Sequence, residues 1–447
     1  MCSSAVIFAV TVPERQYVKS LNPYSRMALA VRGWGLEVLL ALGIIGLWRI
    51  GAALDGRGAG ILFLGIAGIV VWRTPALKTR LATTLRDRAT RRWFGRVLIA
   101  CQLISPRGLI PRIEGTELIP AGQRLRLRLP PGLTAEIIDQ ASEPLAATIG
   151  ARDVRVVRDP ANASLAYVSI LLRDPLSTPA PSWPVPKGSL WQPISLGVDE
   201  DGNQVSIGLP ERNLLLGGEP GAGKSVALSL FIAAAALDPS VTLTLLDGKQ
   251  VELAPWSESA EDFVGPDMAG AIDVLKELCS EMDRRYGVLL SSGLRKIERG
   301  GDFGLHVVAI DELAFYMRGG TKDERAELSE TLRDLISRGR AAGMIVIAAT
   351  QKPSNDIVPT YVRDLFSFRM ALRCTTPEAS DTILGQGWAK EGFSASTLDP
   401  TSRGVGYLLA EGAVPVKIRT HYLDDTAISE LAQLAAARRA QPIRRKQ

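Results

Sequence analysis

Eight consecutive residues, Gly218-Glu219-Pro220-Gly221-Ala222-Gly223-Lys224-Ser225, set three glycines ahead of a cation and a hydroxyl. Glycine lets successive backbone N–H groups turn toward an anion without a Cβ clash, and a helix starting there adds its positive dipole end. Lys224 would then reach the β- and γ-phosphates of ATP, and Ser225 would offer an oxygen to Mg²⁺. Farther along, the apolar run 305–310 ends in Asp311-Glu312, and the run 344–349 ends in Thr350-Gln351. Side chains released at the carboxyl end of a buried parallel strand enter the crevice where α/β sheets bind ligands. There Asp311 would hold Mg²⁺ through water, Glu312 would polarise the attacking water as general base, and Gln351 would sense the γ-phosphate or orient that water.

These groups need elements to place them. Asn213-Leu214-Leu215-Leu216-Gly217 reads as a buried strand, and the stretch 226–234, opening with Val226, reads as a helix. The order strand, glycine-rich loop, helix is the context that the phosphate motif demands, against a glycine-rich turn that matches by chance. Strand ends carrying Asp311, Glu312 and Gln351 in the expected order weaken the alternative that each is an ordinary loop start.

Several further stretches resemble the FtsK/SpoIIIE family of DNA translocases, in family order: 245–253 with Asp247, Lys249, Glu252 and Leu253; 281–286; and Gly339-Arg340-Ala341-Ala342-Gly343 followed by 349–354. The resemblance covers about 190 to 425, with Gly248 where the family usually has Pro and Lys352 where Arg is commoner. It implies an α/β P-loop motor of the RecA-like (ASCE) kind with a parallel sheet, spanning 191–425, and a homo-oligomeric ring, a hexamer by family. It also implies that Arg295 and Lys296, in the basic loop 293–301, line a channel and touch duplex DNA phosphates without reading bases. An ordinary surface loop is the alternative. Arg340 is expected to reach the γ-phosphate of a neighbouring subunit, against compensation of a helix dipole by Arg338 and Arg340.

Outside that region the chain changes character. The net charge of +5 is uneven: ten Lys/Arg against Asp87 between Arg73 and Arg112 make a local +9, leaving −4 elsewhere. Such a block suits a cytoplasmic membrane flank or a polyanion-binding surface. Two apolar runs, 38–54 interrupted by Arg49 and 58–72, each near the ~17-residue lower limit for a span, predict a transmembrane hairpin over 34–76. Trp34, Trp48 and Trp72 would be interfacial, and the flanking cations would keep both ends, and the motor, in the cytosol of a multi-pass cell-membrane protein. A buried hairpin of a soluble domain is the alternative. Segments 1–33 and 77–120 are expected to be cytoplasmic and membrane-proximal. A signal peptide is disfavoured because 1–31 lacks a positive start followed by an apolar core.

Residues 121–176 predict a small α+β domain: a strand with Arg124, Arg126 and Arg128 alternating with leucine, a helix over 133–149 broken at Pro144, and strands at 154–157 and 165–172. The outward arginines are a solvated face or a DNA-guiding surface. A Pro-rich linker, 177–190, leads into the motor, and 426–447 is a basic tail. The four cysteines have no metal-ligand spacing and two histidines accompany them, so zinc is not expected.

These readings converge on a membrane-anchored, ATP-driven pump of double-stranded DNA. The layout, with 366–369 and 375–381 and no room after 420 for a DNA-reading winged helix, is closer to conjugative or integrative-element transfer proteins of the family. Chromosome segregation, a protein-secretion ATPase and an ATP-gated membrane scaffold are the alternatives.

Overall fold

The computed structural model describes residues 75–440, apart from 178–179, 187–188, 352 and 355–356, and isolated positions 43, 45, 46 and 49 before them. The segment 1–33, nearly all of the expected hairpin, and 441–447 lie outside the described residues. Among the described residues no helix is long and apolar enough to cross a membrane, and this overturns the expected multi-pass placement. The chain divides into two compact units, Met1–Arg173 and Asp174–Gln447.

In the first unit α1 (Pro75–Ala100) precedes a four-stranded antiparallel sheet of order β1-β2-β4-β3, with β1 (Arg112–Ile119), β2 (Gly122–Arg128), β3 (Asp153–Arg158) and β4 (Leu165–Leu171). Helices α2 (Ala135–Gln140) and α3 (Ser142–Ile149) lie between β2 and β3. The helix expected over 133–149 is interrupted at Ala141, and Pro144 sits in the first turn of α3, where its missing N–H costs no helical bond. Two other readings change. The sheet starts at Arg112, inside the segment expected to flank a membrane, and Phe94, Val97 and Leu98 of α1 are buried in this unit's core. The arginines of β2 are paired, Arg124 with Glu117 and both Arg126 and Arg128 with Glu114. Mutual neutralisation favours the solvated-face reading over a DNA-guiding one.

The second unit is built on ten strands: β5 (Ile194–Asp199), β6 (Gln204–Ile207), β7 (Leu214–Gly217), β8 (Thr242–Asp247), β9 (Asp262–Val264), β10 (His306–Asp311), β11 (Met344–Thr350), β12 (Phe368–Leu372), β13 (Val405–Ala410) and β14 (Val416–Thr420). Their order is β6-β5-β14-β13-β12-β7-β11-β10-β8-β9. The block from β12 to β9 is parallel, but β13, β14, β5 and β6 join antiparallel, so the sheet is mixed instead of parallel throughout. Short connections such as 411–415 between β13 and β14 allow only antiparallel neighbours, whereas parallel pairs need helical crossovers.

Those crossovers are α4 (Lys224–Ala236), α5 (Met268–Ser291), α6 (Leu313–Arg318), α7 (Lys322–Arg338) and α8 (Thr360–Arg363), while α9 (Pro377–Leu384) lies between the antiparallel β12 and β13 and α10 (Asp425–Ala440) follows β14. α4 is apolar on every side and buried from Ala227 onward, as expected of a helix enclosed by the fold. Its last carbonyls are satisfied by α10: Arg438 donates to Leu237 O at 3.1 Å and Arg439 to Ala236 O at 3.0 Å. The stretch expected to be a basic tail is thus in good part a packed helix. Trp183, in the expected linker, is likewise buried, its Nε1 donating to Ser195 O at 3.0 Å.

Candidate functional site

β7 lies between β11 and β12, and β8, next in sequence, lies beyond β10. The chain therefore leaves β7 at a switch in strand order, and the carboxyl ends of the parallel strands form the crevice. The glycine-rich loop fills it. Gly218, Gly221 and Gly223 have φ of 153°, 77° and 101°, conformations closed to most side chains, and Gly223 caps α4. Close packing adds a second constraint at Gly223, where a Cβ would stand 2.8 Å from Gly404 N. That neighbour's N–H donates to Ala222 O at 2.9 Å, so the turn before β13 supports the loop from outside.

Lys224 is buried at the first position of α4, and its Nζ donates to Gly218 O at 2.9 Å and Glu219 O at 3.3 Å. Burial, helped by the nearby Lys249 charge, pulls its pKa down to about 8, while Glu312, Asp311 and Glu252 act in the opposite sense. These groups therefore share one electrostatic neighbourhood. Asp311, at the end of β10, is 1% exposed, and burial pushes its carboxyl up to about 6 against the pull of Lys249. Lys249 Nζ lies 3.3 Å from Asp311 Oδ2 and 3.4 Å from Glu312 Oε2.

Glu312 has φ 56° and ψ 63°, a left-handed backbone that costs a non-glycine residue roughly 1–2 kcal/mol and persists where the surroundings impose it. Its Oε1 accepts from Gln351 N at 3.2 Å and Thr350 Oγ1 at 3.4 Å, so the ends of β10 and β11 are tied through this carboxylate. Asp247 has a different job. It accepts from the N–H groups of Lys249, Gln250 and Leu253 at 3.0, 2.9 and 2.9 Å, folding the turn that aims Lys249 at Asp311.

A buried carboxylate at a strand end, beside a loop whose helix opens with the Ser225 hydroxyl, is a donor set that fits Mg²⁺, which takes few protein oxygens and completes its shell with water and phosphate. Bound there, the ion would screen phosphate charge. Ser225 and Asp311 are the residues that would hold it.

Three expected site residues lie elsewhere. Arg340 precedes β11, at the opposite end of the sheet from the loop after the parallel β7. Its Nε donates to Glu211 O at 2.9 Å, and Lys296 Nζ binds Glu211 Oε1 at 2.6 Å. Arg295 and Lys296 are exposed, and Ile297 N donates to Ala341 O at 2.9 Å, so the basic loop and the Arg340 turn form one patch. Arg338 is engaged apart from them, with Asp283 and Asp334. Arg340 cannot meet its own subunit's phosphate loop.

Sequence reasoning did not place Lys249 or Arg373 at the site. The first was visible within a family-like run, but its partner depends on the β8/β10 register, Asp247 opposite Asp311. The second follows β12, and only the parallel pairing of β12 with β7 sets it beside Glu219.

Comparison with known proteins agrees with this geometry. Residues 182–391 match the model of the FtsK/SpoIIIE family. DNA translocase SftA of Bacillus subtilis (strain 168) is 30% identical over 254 residues, covering 53% of this chain and 25% of the relative. DNA translocase SpoIIIE of the same organism is 27% identical over 357 residues, covering 72% of this chain and 43% of the relative. The chain spans a quarter to under half the length of these relatives. Among solved structures, the pCW3 conjugation coupling protein TcpA, in its monomer form with ATPgS, superposes with a TM-score of 0.51 at 18% identity, covering 77% of this chain and 99% of that one, and so shares its fold. With the phosphate loop, Asp311, Glu312 and Gln351 all inside the matched span, this chain carries an FtsK/SpoIIIE family domain.

Proposed function

We propose that this protein is an ATP hydrolase that drives double-stranded DNA through a homo-oligomeric ring, a hexamer by family. The observation that carries the chemistry is the meeting of Lys224, Lys249, Asp311 and Glu312 at the carboxyl ends of β7, β8 and β10. The phosphate loop and Lys224 bind the triphosphate. Ser225 and Asp311 hold Mg²⁺. Glu312, fixed by Gln351 N and Thr350, accepts a proton from the attacking water, and Gln351 orients that water or senses the γ-phosphate. Duplex DNA as cargo is supported by the family domain, and Arg295 and Lys296 are the phosphate contacts proposed within it. The narrower task, transfer of a mobile element, rests on the resemblance of 366–369 and 375–381.

Replacing the proposed base tests the chemistry. Glu312→Gln should bind ATP about as tightly as wild type yet hydrolyse it orders of magnitude more slowly, whereas Lys224→Ala should lose binding. Wild-type turnover by Glu312→Gln would end the assignment.

A further inference from the structure

Glu219 puts a carboxylate inside the loop that is to receive a polyanion. Its carboxylate and its backbone N–H are engaged by the chain that follows β12. Oε2 lies 3.2 Å from Arg373 Nη1, Oε1 accepts from the Thr375 hydroxyl, and the backbone N–H donates to Arg373 O at 2.8 Å. Its carbonyl in turn accepts from Lys224 Nζ at 3.3 Å, so Glu219 sits between the phosphate-binding lysine and β12. The packing beneath is equally close: a Cβ on Gly218 would stand 2.9 Å from Leu372 Cβ and 3.2 Å from Arg373 O. Both charged side chains are largely shielded, Glu219 22% and Arg373 27% exposed, so their interaction is not that of a free surface pair.

We propose that Arg373 is a positioning residue that acts through Glu219, cancelling the carboxylate's charge so that the loop it bolts to β12 can accept the triphosphate. The inference rests on the ATP-site reading given above. Stripped of its partner, Glu219 would be an unneutralised anion in the loop that is to receive the phosphates. A like charge held in that loop, at an effective dielectric between that of a protein surface and water, weakens anion binding about tenfold. Removing both charges together should cost far less than removing the arginine alone.

Nucleotide affinity, read as the Kd for a fluorescent ATP analogue in titrations that need no hydrolysis, tests this in a double-mutant cycle. Arg373→Gln should weaken binding about tenfold, and Arg373→Lys, which keeps the charge, should stay within about threefold of wild type. Glu219→Gln should bind at least as tightly as wild type, and Glu219→Gln combined with Arg373→Gln should recover to within about threefold. A double variant as weak as Arg373→Gln alone overturns the proposal, because Arg373 would then serve the phosphates directly. Should Arg373→Gln fail to fold, by its thermal midpoint, Arg373→Lys and Glu219→Gln decide: tenfold weaker binding by Glu219→Gln contradicts the charge-cancelling role. Absence of binding by wild type removes the ATP-site reading and this inference with it, whereas wild-type binding without rescue removes this inference alone.

Discussion

Lys249 Nζ stands 3.3 Å from Asp311 Oδ2 because the parallel register sets Asp247, which folds the turn, opposite Asp311 at the ends of β8 and β10. The contact gives a buried carboxylate its nearest cation. Lys249→Met should therefore push the Asp311 carboxyl further up, by removing the cation that opposes burial, and cut ATP turnover about tenfold or more. With Lys249 30% exposed, the loss in stability should be about 1–3 kcal/mol, below the 3–5 typical of breaking a fully buried pair. Steady-state hydrolysis and urea unfolding of Lys249→Met and Lys249→Arg measure the two effects. Unchanged turnover in Lys249→Met would show that Asp311 does not depend on this partner.

His306, at the start of β10, gives the domain an acid-sensitive contact. Its Nε2 lies 2.9 Å from Thr244 Oγ1, and burial, with the Arg285 charge adding to it and Glu281 opposing, pulls the imidazole down to about 4 from 6.5. A base whose folded pKa is depressed is protonated first in the unfolded chain. Stability is therefore full above about 6.5 and falls as the pH drops toward 4, by about 3 kcal/mol in all. Urea midpoints between pH 7.5 and 4.5 should fall more steeply for wild type than for His306→Gln, which keeps a hydrogen-bonding amide but does not titrate. Parallel pH profiles would contradict the assignment.

Much of the ATP site is legible as pattern. The strand before Gly218, the helix after Ser225 and the acidic end of β10 follow from apolar runs bounded by glycine or by charge, and each lies within a few residues of the group it positions. What depends on pairing across the sheet is not. Lys249 faces Asp311, and Arg373 faces Glu219, only because of strand registers that no local window contains. β1 was missed for a different reason: Arg112–Ile119 carries Gly115 and two glutamates and has no clean period of two, its pairing with β2 slipping at Gly115. Trp183 shows the converse, since a Pro-rich stretch reads as a linker until one aromatic side chain is found buried.

Arg340 lies away from its own phosphate loop, so if it serves catalysis it does so in a neighbour. Arg340→Ala should bind ATP and fail to hydrolyse it. Mixed with Lys224→Ala subunits, it should regain activity that neither variant has alone, because some interfaces then pair an intact Lys224 site with an intact Arg340. Rings shown to co-assemble, yet inactive at every mixing ratio, would leave Arg340 as a tether for Glu211.

The central claim, that ATP hydrolysis at this site is coupled to duplex DNA, is tested most directly by measuring wild-type ATP turnover against increasing duplex length and salt. Duplex of any sequence should raise kcat severalfold, and the DNA concentration for half-maximal effect should climb steeply with salt as phosphate contacts release counterions. Arg295→Glu, which leaves the Lys296–Glu211 contact in place, should weaken that effect without changing turnover in its absence. ATP turnover indifferent to duplex DNA, at low salt as at high, would contradict the account.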